Sequence, residues 1–106
     1  MNIKPTDNIS GTHLVGYLTI KFSDLVECFG NPHYLGGEGD KVDAEWAFEI
    51  DNIIVTLYNW KNGKAFLGNE GQDIENITDW NIGGKSKEAE YILDDYIDNF
   101  FNKKRR

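Results

Sequence analysis

The chain has 106 residues, one domain's worth, and its 40% hydrophobic and 13% aromatic content suffices for a packed core. Its 18 acidic and 11 basic residues give a net charge of −7; setting aside the terminal Lys103, Lys104, Arg105 and Arg106 leaves 7 bases against 18 acids, or −11. A body this acidic repels nucleic-acid phosphates, which argues against direct DNA or RNA binding and for a basic protein partner.

No run of about 18 apolar residues is present to span a membrane, and Met1–Pro5 lacks the basic and apolar regions of a secretion signal. A cytoplasmic protein without a membrane partner is therefore expected. Cys28 is the single cysteine and has no Cys or His at zinc spacing, so it is read as a small buried apolar side chain, with no metal and no disulfide.

In chain order, residues 1–11 are polar and aperiodic and are read as an irregular lead-in. His13–Ile20 is rich in β-formers, and Gly16 in its middle marks a bulge or a close backbone approach. Ser23 is placed as the N-cap of a short helix carrying Leu25, Val26 and Phe29 inward, with Gly30 as its stop ahead of Asn31-Pro32. The glycine-rich stretch from His33 to Lys41 reads as a loop.

From Val42 the pattern alternates strictly. Val42, Ala44, Trp46, Phe48 and Ile50 form one face of a half-buried strand, and Asp43, Glu45, Ala47, Glu49 and Asp51 form the other. Asp51-Asn52 tolerates positive φ, which predicts a hairpin with Ile53–Trp60 as the returning arm. A second glycine-rich, acidic loop covers Ala65–Asn76, and Ile77–Ile82 is a further strand broken by Gly83-Gly84. Ser86 caps a long helix whose Ala89, Ile92, Leu93, Tyr96, Ile97 and Phe100 make one apolar stripe. The expected fold is α+β: a mainly antiparallel sheet in the order β-α-β-β-β-α, with two helices on one face.

Two candidate sites emerge. Carboxylates alternating along the strand lie about 7 Å apart, comparable to the phosphates of a nucleic-acid strand. Asp43, Glu45, Glu49 and Asp51, joined by Glu90, Asp94 and Asp95 of the last helix, are thus candidates for binding a basic groove. The segment Trp80-Asn81-Ile82-Gly83-Gly84-Lys85-Ser86 ends like a nucleotide-binding loop, but Asp79 stands where that motif needs glycine. A strand-to-helix turn is the favoured reading. A weaker anion site built from Lys85, Ser86, Trp60 and Trp80 is the alternative, at the amide-rich start of the helix. Neither His13 nor His33 has a spaced catalytic partner, so catalysis is not expected.

Five segments carry a resemblance: Gly11–Tyr17, Leu25–Pro32, Asp40–Trp46, Val55–Lys61 and Ile77–Ser86. Together they resemble a family of small, largely uncharacterised phage and prophage proteins, across most of the chain. Asn81 stands where that family more often has His. The resemblance implies a phage origin and supplies no catalytic residues. By analogy of origin and charge, it suggests a non-enzymatic inhibitor of a host defence nuclease, in the manner of anti-CRISPR proteins, that occupies a basic nucleic-acid groove. A sponge for an anionic nucleotide signal and a structural or regulatory phage protein are the alternatives.

Overall fold

The alternating stretch that begins at Val42 forms the spine of the protein. In the computed structural model, which describes residues 1–104, it becomes strand β4 (Ala44–Ile50) of a six-stranded antiparallel sheet. The other strands are β1 (Ile3–Pro5), β2 (His13–Thr19), β3 (Tyr34–Leu35), β5 (Ile53–Tyr58) and β6 (Asp79–Gly84). The sheet runs β1-β4-β5-β6-β2, and β3 pairs with the part of β4's outer edge that β1 leaves open. Helices α1 (Phe22–Phe29) and α3 (Glu88–Lys104) pack on one face, and a four-residue helix α2 (Lys64–Leu67) lies in the connection after β5.

The fold is therefore the expected α+β arrangement of helices against an antiparallel sheet. Its core joins Trp46, Phe48 and Ile50 of β4 to Val55 and Leu57 of β5, Trp80 and Ile82 of β6, Leu25 of α1, and Ala89, Leu93 and Ile97 of α3. Each of the aliphatic side chains here larger than alanine contributes roughly 1.5–3 kcal/mol on burial. The indole N–H of Trp46 donates to the Gly30 carbonyl and that of Trp80 to the Ile20 carbonyl, both at 3.0 Å, so neither buried tryptophan leaves a donor unpaired.

The β4–β5 hairpin closes on Asp51 and Asn52, with φ of 49° and 71°, the paired left-handed conformations of a two-residue turn matched to strand twist. The pairing of β2 with β6 shifts register between Leu14 and Gly16, the irregularity expected at Gly16. A Cβ on Gly16 would meet the Glu90 side chain of α3, which packs over this position.

Several expectations are corrected. The lead-in contains β1, whose Ile3 pairs with Ile50 and whose Pro5 pairs with Phe48. Within the expected loop from His33 to Lys41, Tyr34 and Leu35 pair with Glu45 and Ala44. Both are too short to show periodicity, and β4 supplies the template. Helix α1 starts at Phe22 with Lys21 as its N-cap, and Ser23 forms no cap hydrogen bond. Phe22 is drawn into the helix because its ring packs on Trp46 and Trp80, with centroids 6.0 and 6.2 Å away.

The strand expected at Ile77–Ile82 runs instead from Asp79 to Gly84. Gly83 and Gly84 continue it by pairing with Leu14 and His13 of β2 and with Thr56 and Val55 of β5, and Thr56 and Ala89 leave no room for a Cβ at either position. The expected loop from Ala65 to Asn76 holds most of α2 and two single 3-10 turns, Gly68–Glu70 and Ile74–Asn76. Of the basic tail, Lys103 and Lys104 end α3, where Lys104 pairs with Glu27, and Arg105 and Arg106 lie outside the described residues. None of the helices described is long and apolar enough to cross a membrane.

Candidate functional site

Because α1 and α3 cover one face of the sheet, the alternate residues of each strand form a second face with neither helix on it. The short dimension of the molecule, 19 Å, is that of one helix layer of about 10–12 Å on one sheet. Strand register sets Tyr34, Glu45, Tyr58, Asn81 and Tyr17 side by side in a row across five strands of this open face. Tyr17 is 70% exposed and Tyr34 49%.

Glu45, in the middle of that row, is half-buried, and no ion pair or side-chain hydrogen bond engages its carboxylate among the described residues. Burial, and secondarily the nearby Asp40 carboxylate, raises its pKa above the ordinary glutamate value. Glu49 lies on the same face beyond Ala47, 4.0 Å from the exposed Lys4 ammonium.

The remaining sequence-predicted acids are placed differently. Asp43 is committed to internal bonds: Oδ1 accepts from Asn59 Nδ2 at 2.8 Å and Oδ2 from the Ala65 N–H at 3.1 Å. It holds the start of α2 and is not a free rung of an acidic ladder. Asp51 sits in the hairpin turn, where its carboxylate accepts the Asn2 N–H at 2.8 Å and so ties down β1. Glu90 pairs with Lys87 at 3.0 Å and packs over Gly16, while Asp94 and Asp95 are exposed on α3. The pKa of Asp94 is raised by partial burial first, then by Glu90, Asp98 and Asp95. These three lie on the helical side of the sheet, opposite Glu45 and Glu49, so the seven acids do not form one surface.

The four residues of the expected anion site are also not brought together. Trp80 is buried in the core. Lys85 and Ser86 follow Gly84, which pairs with Val55 near the start of β5, whereas Trp60 lies beyond Tyr58 at its far end. Ser86 Oγ accepts the Glu88 N–H at 3.3 Å, as a helix cap does.

Trp60 belongs instead to a rigid corner that the sequence does not reveal. Asn59 is fully buried, and its amide is saturated: Oδ1 accepts the Asp43 and Ala44 N–H groups at 2.8 and 3.1 Å, and Nδ2 donates to Asp43 and Asn62 at 2.8 and 2.9 Å. Asn62 in turn donates to the Asp79 carbonyl at 3.3 Å. This network fixes the turn that presents Trp60 and Lys61.

Among imidazoles, His33 Nδ1 accepts the Ala47 N–H at 3.0 Å, filling the gap between β1 and β3 along β4, and His13 is exposed on edge strand β2. The Cys28 thiol is half-buried and pushed up to about 12, by burial first and Glu27 second, which suppresses the reactive thiolate. The described residues contain no cluster of three or more His, Cys, Asp or Glu side chains suited to a metal ion. No family model, no curated protein and no solved structure matches this chain.

Proposed function

We propose that the chain is a binding protein whose open sheet face engages a basic protein surface, the nucleic-acid groove of a host antiviral nuclease or related effector, and blocks it. The observation that carries this reading is Glu45, a half-buried carboxylate without an ionic partner among the described residues, flanked across both neighbouring strands by Tyr34 and Tyr58. An arginine from a partner satisfies such a carboxylate and stacks on tyrosine rings at the same time. Tyrosine and arginine are the residues that anchor interfaces, and the net charge of −7 favours rapid, salt-sensitive approach to a basic groove. The resemblance to small phage proteins supplies the host-defence context.

The test is capture of a partner by tagged protein from bacteria carrying defined defence nucleases, at low and high salt, alongside a phage challenge. Glu45→Lys/Glu49→Lys is expected to lose both the nuclease and phage protection, while Asp94→Lys/Asp95→Lys on the helical side keeps both. Capture of the nuclease by the first variant as well as by wild type sinks the assignment.

A further inference from the structure

In a protein this acidic, Lys41 and Lys61 stand out because neither forms an ion pair among the described residues and both reach the same exposed tryptophan. Each ammonium lies 5.7 Å from the Trp60 ring centroid, and Lys61 is also 5.4 Å from that of Phe66. Trp60 is 46% and Phe66 43% exposed. Two aromatic surfaces and two ammoniums without an ion pair among the described residues thus share one corner, at the end of β5.

The corner is held in place by its backbone. Lys61 has φ of 59°, a left-handed conformation that glycine adopts freely and lysine only at a cost. Its N–H donates to the Lys41 carbonyl at 2.8 Å, which brings the two lysines side by side. The saturated Asn59–Asp43–Asn62 network adjoins it in sequence and fixes the turn, so the backbone that carries Trp60 and Lys61 is set before any ligand arrives, while the two ammoniums stay free to move onto a phosphate.

We infer that Trp60, Phe66, Lys41 and Lys61 form a platform for a nucleoside phosphate, the base stacking on an aromatic ring and the phosphate held by the two ammoniums. Planar bases stack on aromatic side chains with a gain of roughly 5- to 150-fold in affinity per base. Lysine binds phosphate as a mobile point charge. A long strand is disfavoured, since its further phosphates would meet the acidic body. The platform shares no residue with the row around Glu45, so it stands or falls independently of the proposed function.

Trp46 and Trp80 are 0% and 1% exposed, so any ligand-induced change in tryptophan emission reports on Trp60. The experiment is calorimetric titration of the full chain with the 5′-monophosphates of adenosine, guanosine, cytidine and uridine, monitored in parallel by tryptophan emission. Adenosine, inorganic phosphate and an oligothymidylate strand are the comparison ligands.

Saturable binding of at least one monophosphate with altered emission is expected, with adenosine and phosphate each about tenfold weaker or worse. Lys61→Gly relieves the left-handed backbone and preserves the fold, yet is expected to weaken binding about tenfold. Lys85→Gln, at the distant helix start, is expected to bind as wild type. Absence of binding by all four monophosphates at millimolar concentration overturns the inference, as does undiminished binding by Lys61→Gly. Tighter binding of the oligothymidylate than of any monophosphate also overturns it, because the ligand is then a strand.

Discussion

Glu45 is the residue at which stability and the proposed binding are set against each other. Its pKa is raised in the folded chain, so between the ordinary and the raised value the native state holds a proton that the unfolded chain has released. Stability contributed at this position therefore falls as pH rises through that window and is fully present below it. Glu45→Gln removes the titration: the variant is expected to melt higher than wild type at neutral pH, with the difference vanishing below the ordinary glutamate value. Thermal unfolding across pH checks this, and a wild type as stable as the variant at neutral pH contradicts it. Asn59 behaves oppositely. Asn59→Ala strands the Asp43 and Ala44 N–H groups and the Asp43 carboxylate, and a loss of about 2–4 kcal/mol in urea unfolding is expected. Cys28, with its thiol at about 12, is expected to react with a disulfide reagent at mildly alkaline pH only as fast as the protein opens, and at full rate in denaturant.

At the scale of elements, the sequence was legible wherever a local rule and the tertiary demand agree. Strict alternation from Val42 and the Asp51-Asn52 turn specify the β4–β5 hairpin without help from the rest of the chain. Asn52→Val, which places a β-branched residue at φ 71°, is accordingly expected to cost about 1–2 kcal/mol in the same unfolding assay. The long helix was equally legible from its apolar stripe, of which Ala89, Leu93 and Ile97 are buried. Gly83-Gly84 misled, since a glycine pair breaks a strand when seen alone. Here it extends β6, paired with β2 on one edge and β5 on the other, and Thr56 and Ala89 take the space that side chains would need. Strands β1 and β3 were illegible for another reason: three and two residues carry no period, and they exist only because β4 offers an edge. The Asn59 network was hidden as well, since its partners Ala44 and Asp43 lie 15 and 16 residues upstream and only the fold brings them together.

For the whole molecule, what matters is how the sheet divides the charge. The acidic excess was plain in the composition, but a one-dimensional count cannot say which carboxylates share a surface. The sheet puts Glu45 and Glu49 on one side and Glu90, Asp94 and Asp95 on the other, while Asp43 and Asp51 bond to backbone or side-chain groups of the chain itself. A partner that contacts one side gains only long-range attraction from the other, and salt screens that attraction over a Debye length of about 8–10 Å. The two sides therefore have separable kinetic signatures once a nuclease partner is in hand. Charge reversal at Asp94 and Asp95 is expected to slow association severalfold at low salt and leave dissociation unchanged. Reversal at Glu45 is expected to accelerate dissociation at every salt concentration, because in the proposed complex the carboxylate meets the partner directly. Surface-binding kinetics over a salt series separates these outcomes. Equal effects of both reversals on the dissociation rate would show that the partner grips the helical side too, and that the open face is not the principal interface.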